Sequence, residues 1–174
     1  LLKRRVIVER AAVEWLRWRR YVSAFSIMLI DADDFKSIND RYGHLTGDQV
    51  LKLIAGTIKR SVRAADMVGR LGGEEFVVVM PETSAEGALA ASQNIMNNIR
   101  QSRWRTDDFV IPMTVSIGIA SVSLDDKNFD SVLQRADVAL YAAKRQGKDR
   151  AVVSACGFPE LVVASVTPAT TVPL

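Results

Sequence analysis

The chain has 174 residues, 48% apolar and 25% charged, which suits one globular domain with a sizeable core. The formal charge is only +3 and is uneven: residues 1–20 hold seven Lys/Arg against two Glu, whereas the remainder holds sixteen against eighteen acids. The basic excess therefore belongs to the N-terminal segment, and no nucleic-acid partner is expected from it. A single cysteine, Cys156, excludes a disulfide within the chain and suits a reducing compartment. No apolar run reaches membrane-spanning length, and no signal-peptide pattern is present. The first residue is Leu1 rather than Met, so a longer parent is expected, with a sensor domain or membrane anchor upstream.

Residues 1–21 read as a lead-in helix, basic on one side, with Val6, Val13, Leu16 and Trp18 available for packing. Its bland role is a solvated amphipathic helix. The Trp- and Arg-rich turns from Trp15 to Arg20 leave membrane-surface contact as the alternative. Phe25 to Ile30 is a buried-strand signature that runs into Asp31-Ala32-Asp33-Asp34. Carboxylates at the exit of a buried strand have a fixed backbone and exposed side chains, a placement that suits metal-dependent chemistry. A short helix through Asn39 follows, then a longer one from about Gly47 to Arg63, with Leu51, Ile54, Ala55, Ile58 and Val62 at helical spacing.

Two apolar runs, Asp66–Leu71 and Val77–Met80, flank Gly72-Gly73-Glu74-Glu75-Phe76. This predicts a hairpin whose turn carries two adjacent acids. Folding explains such acids poorly; a divalent cation holding a polyphosphate explains them well. If the hairpin lies beside the first strand, Asp31 and Glu74 can share one cation. Pro81 stops the next strand, and Thr83 or Ser84 can cap a helix running to about Arg100. Residues 102–109 read as a polar loop, Pro112 to Val122 as a strand, and Asp130 to Gln146 as a helix ending at Gly147. Ala151-Val152-Val153 is a last short strand, and residues 157–174 read as a tail. The order β-α-β-β-α-β predicts an α+β, ferredoxin-like core: a mainly antiparallel sheet flanked by helices, with the helices on one side. The expected organisation is a lead-in helix over 1–21, a domain over 22–156 and a tail over 157–174.

Five blocks, in order across about residues 25–153, resemble the GGDEF family of diguanylate cyclases. They are Asp31 to His44 (D-x-D-x-F-K-x-I-N-D-x-Y-G-H), Gly47-Asp48, the GGEEF variant of the signature at 72–76, Thr114 to Ala120, and Ala136 to Lys144. The resemblance implies the palm-like fold of nucleotide cyclases. It also implies condensation of two GTP into cyclic di-GMP with release of two pyrophosphates, at the interface of a homodimer in which each ribose hydroxyl attacks the partner's α-phosphate. The implied cofactor is Mg²⁺ or Mn²⁺, two per active site. The side chains of Asp31 and Glu74 and the carbonyl of Ala32 match the family's ligands, and Glu75 matches a second metal contact or an aid to hydroxyl activation. Asn39 and Asp48 match the residues that read guanine. The backbone N–H groups of Asp34 and Phe35, with Lys36, Lys144 and Lys148, match the phosphate contacts. Arg63 and Asp66 stand at the R-x-x-D positions of the inhibitory site, where product binds.

Ordinary structural roles stand beside these. Asn39 and Asp48 would serve as helix caps, Lys144 and Lys148 as helix-end charges, Arg63 and Asp66 as a local pair, Asp33 as a hydrogen-bonding residue, and His44 as a packed side chain. The chain departs from the family pattern in three places. Asn94 stands where a second inhibitory-site Arg is usual, Lys148 where Arg is usual, and the D-x-L-T lead-in is absent. The alternative function is a catalytically silent module that binds cyclic di-GMP or GTP as a receptor. The expected location is the cytoplasm, as the output domain of a larger protein, with a membrane-anchored parent as one form of it.

Overall fold

The computed structural model describes residues 1–105 and 109–154, and the backbone of 161–164. Cys156 and most of the 157–174 tail lie outside the described residues. The described residues form five helices: α1 (Arg4–Tyr21), α2 (Phe35–Tyr42), α3 (His44–Ser61), α4 (Ala85–Gln101) and α5 (Phe129–Arg145). The strands are β1 (Leu2–Lys3), β2 (Phe25–Ala32), β3 (Met67–Gly72), β4 (Glu75–Pro81), β5 (Trp104–Arg105), β6 (Val110–Ile111), β7 (Val115–Ser121), β8 (Ala151–Ser154) and β9 (Leu161–Ala164). The main sheet has the order β1-β3-β4-β2-β7-β8-β9, and β5-β6 form a separate hairpin. The sheet is mixed: β1-β3 and β7-β8 are parallel, the other neighbours antiparallel.

Strand β2 is buried along its whole length and pairs on both sides, with β4 and with β7. A strand buried on both faces reads as a continuous apolar run, and FSIMLI is one. Alternate residues serve two cores. Met28 and Ile30 face the layer of α3 and α4, with Val50, Ile54, Ile95 and Ile99. Phe25, Ile27 and Leu29 face the layer of α1 and α5, with Ile7, Trp15, Val132 and Ala136. Helices therefore cover both faces of the sheet, not one. The second layer comes from the elements added before and after the duplicated β-α-β core.

Helix α1 is part of that second core. It packs through Ile7, Ala11, Trp15 and Trp18, while Val6, Val13 and Leu16 are exposed. The packing stripe keeps Trp18 of the expected set and takes Ile7, Ala11 and Trp15, which share its face, in place of the other three. Trp15 and Trp18 contact each other at 5.0 Å between ring centroids, and their burial removes them from a membrane-facing role. Among the described residues no helix is long and apolar enough to cross a membrane.

Ser84 caps α4, accepting from Gly87 N at 3.3 Å, and Gly147 past α5 has φ +112° as a C′ glycine should. The expected strand over 112–122 begins only at Val115, with Val110–Ile111 split off into the small hairpin. The tail segment Leu161–Ala164 adds β9 to the sheet edge, with Ala164 opposite Ala151.

Gly118 lets α5 lie directly on β7. A Cβ there would collide with the backbone of Ala136 and Leu140, which cannot rotate away. Gly118→Ala should therefore lower stability by about 3 kcal/mol, the upper range for forced overpacking. In Gly56→Ala the added Cβ meets only the mobile end of Arg60, and the helical gain of up to about 1 kcal/mol should offset it. Urea denaturation of both variants checks this, and equal stabilities would contradict the close seating of α5.

Candidate active site

The end of β2 and the turn of the β3–β4 hairpin meet. Asp31 lies opposite Glu75 on β4 and opposite Ser116 on β7, and Ala32 N donates to Glu74 O at 3.3 Å. Asp31, Ala32, Glu74 and Glu75 thus share one corner of the sheet. Gly73 takes positive φ, +46°, whereas Gly72 does not. The turn is held from below: Arg70 donates to Gly73 O through both Nε, at 2.8 Å, and Nη2, at 2.6 Å.

Three acids lie at the end of β2 and in the β2–α2 loop, and the fold treats them differently. Asp31 is buried, and burial pushes its carboxyl above the ordinary range. The negative charges of Glu74 and Glu75 add to that push, while Lys144 opposes it. Lys144 Nζ, from the last turn of α5, lies 2.8 Å from Asp31 Oδ2. Asp33 is also buried but fully satisfied. Its Oδ1 accepts from Ser116 Oγ at 2.7 Å, and its Oδ2 accepts from Thr114 Oγ1 at 2.8 Å and Asp149 N at 3.1 Å. Asp34 is exposed and accepts from Lys148 Nζ at 2.6 Å, a bond that pushes the lysine ammonium upward. Lys144 and Lys148 are therefore partners of the loop acids and not merely charges favoured by a helix end.

Asp34 also sets the start of α2. Its φ is +53°, and no side chain caps the helix. The N–H groups of the first turn, from Phe35 onward, thus open onto the same loop, with exposed Lys36 beside them. Farther along, Asn39 on α2 packs against Gly47 on α3, where a Cβ would strike Asn39 Oδ1. Asp48, next in the chain, is exposed. Neither residue caps a helix: Asn39 lies inside α2 and Asp48 in the first turns of α3, whose N-cap is Gly43.

From Asp48 the same face of α3 leads to Leu51, Lys52 and Ala55, which form one wall of a groove of about 530 Å³. Phe76, Leu71 and the hairpin glycines form the other wall, and Leu1, Leu2, Lys3 and Arg4 close its end. Its apolar walls and basic rim suit a flat base attached to an anionic tail.

Among the described residues no three acidic, histidine or cysteine side chains converge into a ready cage for a metal. The donors present are the carboxylates of Asp31 and Glu74 and the backbone oxygen of Ala32. All are hard oxygens beside an excess of negative charge, which fits Mg²⁺ or Mn²⁺ with phosphate and water completing the shell.

Arg63 and Asp66 sit apart, in the turn between α3 and β3. Asp66 is buried and accepts from Arg63 N at 2.9 Å through Oδ2, while its Oδ1 is buried without a partner. The Arg63 side chain is exposed, and so is Asn94 on α4. His44 is exposed at the start of α3 instead of packed. Sequence reading missed three contributors: Arg70, the Thr114–Ser116 pair and the N-terminal wall of the groove. Polar Thr114 and Ser116 beside apolar strand positions were the available signal for the second.

The family model "Diguanylate cyclase, GGDEF domain" matches residues 1–150. Diguanylate cyclase A of Treponema denticola is 42% identical over 135 residues, 78% of this chain and 36% of that protein. Diguanylate cyclase DgcP of Pseudomonas aeruginosa is 38% identical over 154 residues, 88% of this chain and 23% of that protein. The chain thus spans about a third or less of these two relatives. The active GGEEF domain of a diguanylate cyclase from Vibrio cholerae superposes with a TM-score of 0.85 at 29% identity, covering 90% of this chain and 99% of that one. The GGDEF domain of DgcB from Caulobacter crescentus, solved in complex with c-di-GMP, superposes with a TM-score of 0.84 at 29% identity, covering 88% and 91%. With the family model matched over most of its length, the chain belongs to the GGDEF domain family of diguanylate cyclases.

Proposed function

We propose that this chain is the catalytic domain of a diguanylate cyclase, in the GGEEF variant, which joins two GTP into cyclic di-GMP and releases two pyrophosphates. The observation that carries this reading is the corner where Asp31, Ala32, Glu74 and Glu75 meet, beside a groove lined by Gly72, Gly73 and Leu51, with Asp48 three residues before Leu51 on α3. The base occupies the groove against Leu51 and Phe76. Asp48 accepts from the guanine N1–H and amino group, and Asn39 pairs its amide with the base edge. Adenine lacks that donor pair, so GTP is preferred. The triphosphate runs over the β2–α2 loop. There the uncapped N–H groups at Asp34 and Phe35, with Lys36, Lys144 and Lys148, neutralise its charge.

Two divalent cations, Mg²⁺ or Mn²⁺, would be held by Asp31, Glu74 and the Ala32 carbonyl; bound there, they supply Lewis acidity to the attacking and leaving oxygens. Glu75, at the start of β4 opposite Asp31, gives a second contact to the cations or accepts the proton of the attacking 3′-hydroxyl. The protein's own contribution is positioning and charge neutralisation, as expected for phosphoryl-group chemistry. One domain supplies one GTP, so the product requires a homodimer with two such corners facing each other.

Product control belongs to the same proposal. The exposed Arg63 guanidinium can fork onto a guanine or a phosphate, and the buried, unpartnered oxygen of Asp66 marks where a donor is wanted. With Asn94 in place of a second Arg, inhibition rests on one face only. The boundaries are part of this reading too: a catalytic unit over 22–156, a lead-in helix over 1–21, and a tail over 157–174, acting in the cytoplasm. A receptor without catalysis is less well supported, because both signature acids and the strand-exit Asp31 are present.

Glu74→Ala should abolish cyclic di-GMP formation from GTP and Mg²⁺, read by chromatography, while changing stability by no more than about 0.5 kcal/mol. Asp33→Ala should instead cost about 3 kcal/mol, because it strands three donors around a buried site. If Glu74→Ala unfolded the domain, or retained activity, the metal-corner assignment would be wrong. Arg63→Ala should leave initial turnover intact and remove its slowing by added cyclic di-GMP. Undiminished inhibition in that variant would remove Arg63 from the control site.

A further inference from the structure

The ion pair between Lys144 and Asp31 has a consequence for the order of binding, and it rests on the metal-corner reading above. Asp31 is buried, stands beside Glu74 and Glu75, and among the described residues is ion-paired with Lys144, whose Nζ lies 2.8 Å from its Oδ2. A buried carboxylate between two like charges needs a counter-cation. Lys144 supplies it from the end of α5, on a side chain that is 39% exposed and free to swing.

We propose that Lys144 is a resident placeholder for the divalent cation: it holds the Asp31 position until the triphosphate arrives, and then moves from carboxylate to phosphate. The exchange conserves charge pairing at each stage. Without nucleotide, a divalent cation must displace an ammonium already in contact with Asp31. With nucleotide, the phosphates offer Lys144 a stronger anionic partner, and Asp31 is released to the metal. Cation and GTP therefore bind synergistically, each favouring the other by the same factor. Lys148 does not share this role: its direct contact is with exposed Asp34, and it feels Asp31 only at a distance.

The test is Mn²⁺ binding followed by electron paramagnetic resonance, with and without a GTP analogue that cannot be cleaved between the α- and β-phosphates. Wild-type protein should bind Mn²⁺ weakly alone and tightly with the analogue. Lys144→Met should bind Mn²⁺ alone about tenfold more tightly, within the usual range for coupled sites, and should lose most of the nucleotide dependence. Lys144→Gln should behave alike, and Lys148→Met should bind Mn²⁺ alone as the wild type does. Melting temperature gives a second readout. Lys144→Met should melt lower than wild type in chelator and gain more from Mn²⁺, since a ligand bound only to the folded state stabilises it. If wild-type protein binds Mn²⁺ with the analogue but both Lys144 variants bind it alone no better than wild type, the placeholder is overturned while the metal corner stands. If no variant holds Mn²⁺ with or without the analogue, the metal corner itself falls.

Discussion

The site depends on the double pairing of β2. From Ser26 to Asp31 this strand is hydrogen-bonded to β4 on one side and β7 on the other, so its end has no freedom to shift register. A slip of one residue would turn Asp31 into the opposite core and bring an apolar side chain to the hairpin. Two helix layers press on the strand from both faces, through Met28 and Ile30 on one side and Ile27 and Leu29 on the other. The strand's apolar content therefore fixes the position of a carboxylate six residues beyond its start.

Two buried aspartates separated by one residue show how the same side chain serves stability or chemistry. Asp33 has three neutral donors, Ser116 on β7, Thr114 just before it and the Asp149 backbone after α5, and holds the loop to both elements. Asp31 has a movable cation in contact, Lys144, and two like charges nearby. The first arrangement gives both carboxylate oxygens neutral donors; the second leaves the carboxylate short of positive charge. Of these two aspartates, Asp31 is the one that an added cation would relieve. The loop can bear that unfavourable site because Asp33 anchors it two residues later.

Much of this was legible in the chain. The acids at the end of a buried run and the acidic Gly-Gly turn are local patterns, and their adjacency follows from the antiparallel pairing that the element order suggests. Ser84 and Gly147 announced helix ends by their own chemistry. The second helix layer was not legible, because α1 carries apolar residues on more than one face and only tertiary contact selects Ile7, Ala11, Trp15 and Trp18. The partners of Lys144 and Lys148 were hidden for a similar reason. Each ion pair joins residues more than a hundred positions apart, and no periodicity encodes that. Arg70 was hidden inside an apolar strand, where its hold on the Gly73 carbonyl depends on the turn's shape.

The uneven charge finds its explanation in β1. Two residues, Leu2 and Lys3, pair in parallel with Gly69 and Arg70, and this short contact carries the basic N-terminus to the hairpin edge. Lys3 and Arg4 then join Lys52 and Arg70 around the proposed nucleotide groove. Four cations around an apolar cleft attract a compact polyanion with a flat apolar end, and a groove of about 530 Å³ sets the scale of the ligand it accepts. The rest of α1 is held by its tryptophans against the opposite layer. One helix start therefore supplies charge to the front of the sheet while the helix body closes the back. A displacement of α1 that broke the Leu2–Gly69 pairing would weaken the second core and strip cations from the groove in the same step. Stability of the lead-in and electrostatics of the site are thereby coupled through two residues of strand.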